Sequence, residues 1–185
     1  MSLRRFTVLQ VLPALTAGGV ERGTLEVAAC LVEQGHRSLV MSAGGRMVAA
    51  LEAAGSEHFS WPIGQKSLWT LRLIPRLRQF LQQQQVDIVH VRSRFPAWIV
   101  YLAWRGMPVQ QRPRLVSTVH GHYRPGAYSR IMTCGERVIV ISRMIHDYVT
   151  QQYAVSAQKL RLIYRGVDAG QYFPGYQPSA DWLHA

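Results

Sequence analysis

Three short stretches hold residue types suited to an anionic substrate: "TAGGVERG" (Thr16–Gly23), "HVRSRFPAW" (His90–Trp98) and "VSTVHGHY" (Val116–Tyr123). Gly18 and Gly19 stand between an apolar run, "FTVLQVLPAL", and a helix-like stretch, "TLEVAACLVEQG". A helix N-terminus there offers free N–H groups and the positive end of a dipole to a phosphate. The same two glycines serve equally well as a plain corner. They do not form a dinucleotide fingerprint, because Pro13 to Ala17 separate them from the strand and only Gly23 keeps rough register. His120, followed by Gly121, falls at the carboxyl end of a predicted strand, where open α/β sheets bind ligands. It is suited to orienting a hydroxyl, accepting a proton or bonding a phosphate oxygen. A hydrogen-bonded loop histidine is the competing reading, and His122 and Tyr123 share its surroundings. Arg92, Ser93 and Arg94 reach the same rim from another strand. Arginines beside a hydroxyl suit an anionic group, and solvated arginines are the alternative. The sequence has no G-x-x-x-x-G-K-[ST], no G-x-S-x-G and no H-E-x-x-H, and no metal-ligand set is read from it.

The elements that must position these residues follow from apolar periodicity. Strands are expected at Phe6–Leu12, Ser38–Ser42, Asp87–Val91, Leu115–Val119, Arg137–Ile141 and Leu160–Tyr164, most of them continuous apolar runs of the kind a parallel sheet buries on both faces. Between the first two, Val20, Thr24, Val27, Ala28 and Leu31 share one helix side, which Gly35 ends. A second helix is expected over Leu68–Gln84, burying Leu73, Leu77, Phe80 and Leu81 and turning Arg72, Arg76, Gln79 and Gln83 outward, with Pro75 kinking it or beginning its regular part. Helical stretches follow at Pro96–Trp104 and Arg143–Tyr153. The alternation predicts an α/β fold, a Rossmann-like doubly wound parallel sheet.

A chain of 185 residues accommodates one well-packed domain, and 48% hydrophobic residues suit a globular one. The net charge of +11 is unusual, and of the 21 basic residues all but Lys66 and Lys159 are arginines. Such a surface favours bidentate pairing with phosphates or carboxylates, on nucleic acid, anionic lipid or a phosphorylated ligand. Cys30 and Cys134 lie far apart and read as reduced, packed thiols of a cytoplasmic protein. The N-terminus imitates a secretory signal, but Gln10 and Pro13 interrupt its apolar stretch, which reads better as a first strand. "PAWIVYLAW" is far short of the roughly 20 residues that span a bilayer.

In their order, "VLQVLPALTAGGVER", "VDIVHVRSR", "LVSTVHG", "ERVIVISRMIHDYVTQQYAV" and "KLRLIYRGVDAGQYFP" resemble the N-terminal half of a glycosyltransferase family 4 enzyme, of the retaining, two-Rossmann GT-B type. "RSRFPAW" with "VHGHY" further resembles the bacterial branch that builds lipopolysaccharide core and other envelope glycans. The resemblance implies roles for named residues. Gly18 and Gly19 match the loop that approaches the donor diphosphate, and Glu21 matches the acidic residue that follows it. His120 matches the histidine near the transferred sugar, the catalytic candidate. Arg92, Ser93 and Arg94 fall where the acceptor is contacted, with Glu21, His122 and Tyr123 on the same side. "YRGVD" matches an "NGVD"-like hinge, with Arg165 where asparagine is commoner.

It follows that residues 1–168 would be the acceptor-side domain and 169–185 a linker or severed tail. A C-terminal domain holding most of the nucleotide-sugar is expected in the family, but no glutamate follows Glu136 to supply its Glu-x7-Glu motif, so the chain is expected to be inactive alone. The implied substrates are a nucleotide-sugar and a glycolipid or lipopolysaccharide acceptor, with no metal or other cofactor. The implied location is cytoplasmic, peripheral on the inner membrane, where the Arg72/Arg76 face, with Arg78 beside it, meets anionic headgroups. Two other readings compete. Ser42 and Arg46 after the second strand would suit the 2′-phosphate of an NADP-dependent oxidoreductase, and the arginine content would suit a nucleic-acid-binding module. The malformed glycine motif counts against the first, and the lack of a recognition motif with interleaved aromatics against the second.

Overall fold

The computed structural model describes residues 4–166. Seven parallel strands form one sheet in the order β3-β2-β1-β4-β5-β6-β7. They are β1 (Thr7–Val11), β2 (Arg37–Ser42), β3 (Glu57–Ser60), β4 (Ile88–Val91), β5 (Arg114–Val119), β6 (Arg137–Val140) and β7 (Leu160–Leu162). The helices are α1 (Gly19–Glu33), α2 (Val48–Ala53), α3 (Leu73–Gln83), α4 (Arg94–Arg105), α5 (Ala127–Arg130) and α6 (Arg143–Tyr153). The chain winds outward from β1 to β3, then returns to lay β4 on the other side of β1, in register Val8↔Ile88 to Val11↔Val91. The crevice between β1 and β4 is therefore the switch point of the sheet.

The six expected strands are all present, with ends displaced by one or two residues: β2 and β5 begin one residue earlier and the other four are shorter. β3 was not foreseen. Its sequence, Glu57–Ser60, is an edge strand with half-buried and exposed positions, so it lacks the continuous apolar run that marks its neighbours. A bidentate pair, Arg37 Nε to Glu57 Oε1 at 2.7 Å and Nη2 to Oε2 at 2.9 Å, ties that edge to β2. The Leu68–Gln84 helix divides, with a 3-10 turn over Leu68–Arg72 and regular helix from Leu73. Pro75 sits in the first turn of α3, where a missing N–H costs nothing.

On one face of the sheet, α3, α4 and α6 bury Leu77, Leu81, Ile99, Val100 and Val149 against Leu9, Val89, Val91 and Val140. A smaller cluster of Leu12, Leu15, Ala28, Val40 and Leu51 fills the space between α1, α2 and the other face. Full burial of each such aliphatic side chain contributes about 1.5–3 kcal/mol. Helix α1 uses Thr24 and Ala28 for this contact and ends at Gly35, whose φ of +77° needs glycine. Val27 is not on the core side as expected; it is 38% exposed and lines the crevice over the sheet. Cys30 is likewise exposed on α1 rather than packed, whereas Cys134 is half-buried and its thiol donates to the Arg130 carbonyl. No helix among the described residues is long and apolar enough to cross a membrane.

Candidate crevice site

Side chains two residues apart on a strand share a face. That alternation gathers the site. On the α1 face, β4 presents His90 and then Arg92, and β5 presents Thr118 and then His120; Ile139 and Ile141, and Ile163 and Arg165, follow from β6 and β7. Together with Gly23, Glu26 and Val27 of α1 they line a cavity of about 290 Å3 at the carboxyl ends of the strands.

Its floor is polar and buried. Gln10, in the middle of β1 and fully buried, donates Nε2 to the Thr24 carbonyl of α1 at 3.0 Å. Its Oε1 accepts from Arg92 Nη1 at 2.7 Å. Arg92 is 5% exposed, and its Nε has no partner. Burial first, and Arg165 second, pull its guanidinium down from 12.5 to about 10, while Glu26 opposes the fall. It is still a cation at neutral pH. His90 bonds the Thr118 hydroxyl at 2.7 Å, and burial above all, then Arg92 and His120, lowers it to about 3. His120 has both ring nitrogens buried and unpartnered. Burial, Arg92 and Arg165 lower it to about 4, so the imidazole is neutral at pH 7, with one N–H to donate and one lone pair to accept.

The roof is α1 at Gly23, Glu26 and Val27, and the first turn of the helix lies next to it. Gly18, at φ +130°, turns the chain into the helix with a backbone that side chains rarely adopt, and no side chain caps the N-terminus. Arg165 reaches back over this turn and donates to the Gly19 carbonyl. Gly23 is needed for a different reason: a Cβ there would stand 2.6 Å from Arg165 Nη2 and 3.1 Å from Arg92 Nη2. Gly18 and Gly19 line not the crevice but a second, open cavity, with Arg22, Arg46, Met47 and Ala50.

The residues singled out from the sequence fall into two groups. Arg92 and His120 meet in the crevice under α1, Arg92 against Gly23, while Gly18 and Gly19 lie outside its lining. Glu21 folds back toward Gly18, since a Cβ on Gly18 would lie 2.7 Å from Glu21 Oε2. Ser93 is the N-cap position of α4, and past it the chain leaves the strand alternation. Arg94 therefore points elsewhere, bonding Ser129 Oγ at 3.2 Å and lying over the rings of Tyr123 (4.7 Å) and Tyr128 (5.4 Å). His122 packs on Tyr148 with ring centroids 4.5 Å apart. The Tyr123 hydroxyl, accepting weakly from the backbone N–H of His120 at 3.4 Å, links this aromatic cluster to the crevice. Of the hinge, Tyr164, Arg165 and Gly166 line the crevice; Val167, Asp168 and residues 169–185 lie outside the described residues.

Gln10 and His90 were missed as site residues. The signal was present in each case, a polar residue inside an otherwise apolar strand, but Gln10 reads only as an interruption of that strand and His90 is given no role. Ser42 does not suit a cofactor phosphate: it is fully buried, shares a hydrogen bond with His58 at 2.9 Å and accepts from the Gly44 N–H. Arg78 does not share the free face of Arg72 and Arg76, because its Nε is held by the Ala103 carbonyl at 3.2 Å, near the end of α4.

Comparison with known proteins agrees with this architecture. Residues 17–171 match the family described as Glycosyltransferase Family 4. A glycosyltransferase from Rickettsia africae ESF-5 superposes with a TM-score of 0.80 and 30% identity, covering 98% of this chain and 48% of that one. Anabaena Alr3699/HepE, solved in complex with UDP and glucose, gives 0.71 at 18% identity over 91% of this chain and 46% of its own. WaaG, a glycosyltransferase involved in lipopolysaccharide biosynthesis, gives 0.65 at 12% identity over 96% and 50%. The last two show the shared fold alone. The chain thus spans about half the length of these solved structures. No curated protein matches it.

Proposed function

The chain belongs to glycosyltransferase family 4, and from that membership we propose that it is the acceptor-side half of an enzyme that transfers a sugar from a nucleotide-sugar to an envelope glycan or glycolipid. The observation that carries the reading is His120, buried with both ring nitrogens unpartnered, facing a crevice that also holds Arg92 and Arg165 under Gly23 of α1. Sugar transfer leaves a nucleoside diphosphate, and its barrier falls when fixed positive groups face the charge that develops on the phosphates. The N–H groups at Gly18 and Gly19 are suited to the phosphates. The neutral His120 can donate a hydrogen bond from the crevice, on the other side of Arg165, without repelling Arg92. This field supplies what a divalent cation would otherwise supply, so the reading assigns the reaction no metal.

The acceptor is assigned to the Arg94, Tyr123 and Tyr128 side, where aromatic faces suit sugar rings. A peripheral position on the cytoplasmic face of the inner membrane is supported by the turn before α3. Leu68 and Trp69 are 85% and 67% exposed there, with Arg72 stacked on Trp69 at 3.8 Å and Arg76 over the ring of Trp61 at 4.8 Å. Apolar side chains ringed by arginines suit an anionic lipid surface.

The test joins this chain to the C-terminal half of the Rickettsia africae relative and measures nucleoside diphosphate release from a panel of nucleotide-sugars, with an envelope-lipid extract as acceptor. Transfer by the fusion, undiminished by EDTA, and none by residues 1–185 alone, is the expected result. Turnover by the chain alone would overturn the two-half assignment, and a folded fusion that leaves every nucleotide-sugar intact would overturn the function.

A further inference from the structure

Two guanidiniums converge in the crevice with no carboxylate between them. The distances from a Cβ at Gly23, 2.6 Å to Arg165 Nη2 and 3.1 Å to Arg92 Nη2, put both groups against the same glycine. Among the described residues neither arginine forms an ion pair. Arg92 is satisfied by a neutral carboxamide, with its Nε unpartnered at 5% exposure, and Arg165 by a backbone carbonyl. Glu26, at the cavity edge, pairs with Arg22 at 3.5 Å. Like charges held this close in a partly buried place repel unless an anion joins them. Besides burial, which is the larger cause, Arg165 lowers Arg92 through that repulsion, and Glu26 opposes it.

The rest of the cavity is apolar. Val27, Ile139, Ile141 and Ile163 wall it, and about 290 Å3 lies at the small end of ligand sites, below what a whole nucleotide-sugar needs. An apolar wall opposite a charged pair fits a ring with one C–H face and one anionic substituent.

We propose that Arg92 and Arg165 form a subsite for an acidic sugar, its carboxylate or phosphate between the two guanidiniums and its ring against Ile139, Ile141 and Ile163. The proposal rests on the glycosyltransferase reading only in taking the ligand to be a sugar. Arg165, where the resembling family commonly has asparagine, would then set substrate choice.

The test is an NMR titration of the 185-residue chain at pH 7 and low salt with glucuronate, glucose 6-phosphate, glucose, inorganic phosphate and pyrophosphate. Glucuronate and glucose 6-phosphate are expected to bind at least about ten-fold more tightly than glucose or inorganic phosphate, because only they engage both the fork and the wall. Arg165→Asn, at an exposed position and so with little risk to folding, should remove that preference. Arg161→Asn, outside the cavity on β7, should keep it. Methyl glucuronoside against UDP-glucuronate then distinguishes the source: tighter binding of the first assigns the acidic ring to the acceptor, of the second to the donor, and either supports the subsite. Pyrophosphate binding as tightly as glucose 6-phosphate would reduce the pair to a plain phosphate contact and overturn the proposal. So would equal binding of glucose, absence of all binding, or an Arg165→Asn variant that behaves as wild type. A fusion that transfers only neutral sugars between neutral partners would sink the subsite and leave the function standing.

Discussion

Gln10→Glu tests whether Arg92 is kept as an uncompensated cation. The change preserves the shape of the side chain in β1 and places a carboxylate where the carboxamide oxygen now accepts from Arg92 Nη1 at 2.7 Å. The Nε2 bond to the Thr24 carbonyl at 3.0 Å is lost. Leaving the buried Thr24 carbonyl opposite a carboxylate oxygen costs about 1–3 kcal/mol, and the charge-assisted bond to Arg92 returns about 1.5–3 kcal/mol. The melting temperature at pH 7 should therefore stay within about 5 °C of wild type, since 1 kcal/mol moves a domain of this size by about 2–4 °C. Anion binding should change far more. A new negative charge about 6 Å from a bound oxyanion opposes it by about 2.8 kcal/mol at an effective dielectric near 20, roughly a 100-fold loss of affinity. Thermal unfolding followed by titration with glucose 6-phosphate measures both quantities on one sample. A variant that keeps its fold and its affinity would refute the argument that the Arg92 charge is held for a ligand.

Three other outcomes follow from the same geometry. His120 and His90, lowered in the fold to about 4 and about 3, bind protons less readily than the unfolded chain, whose histidines titrate near 6.5. Their contribution is therefore complete above about pH 6.5 and is lost as pH falls toward 4, by about 1.4 kcal/mol per pH unit for each; urea titrations at pH 7 and pH 5 in His120→Gln and wild type measure it, and equal pH slopes in the two proteins would contradict the assignment. Gly23→Ala puts a methyl group against both guanidiniums, of which the buried Arg92 has little room to move, so anion affinity should fall at least about ten-fold with a stability loss of about 1–3 kcal/mol; unchanged binding would show that the close approach is unimportant. Trp69→Ser with Leu68→Ser should weaken sedimentation with anionic vesicles while leaving the melting temperature unchanged, the remainder being carried by the arginines, each of which adds about 1 kcal/mol near the surface at low salt; sedimentation equal to wild type would place the membrane contact elsewhere.

Much of the fold was legible because a doubly wound sheet writes itself as buried apolar runs. Val8–Val11, Ile88–Val91 and Leu115–Val119 announce strands, and their carboxyl ends locate Arg92 and His120 without knowledge of any contact. Edges are quieter: β3 is half-exposed and α2 is only one and a half turns, so neither gives a periodic signal. The helical period put Val27 with the core, yet α1 lies across an open crevice there, and the sheet's shape, not the period, decides which side is covered. Gln10 was read as a flaw in an apolar stretch. Its value lies in two partners far along the chain, Thr24 and Arg92, which only the fold brings within reach. Arg94 and His122 illustrate the converse, since residues beyond a strand end no longer obey the alternation that predicts a shared face.

The central claim is that His120, in a crevice built by β1, β4, β5 and α1, serves sugar transfer. Its most direct measurement is the initial rate of nucleoside diphosphate release by the two-half fusion, wild type against His120→Ala, with thermal unfolding of both. Removing the imidazole should lower kcat by about 100-fold or more with little change in melting temperature. Full activity in the folded His120→Ala fusion would contradict the account.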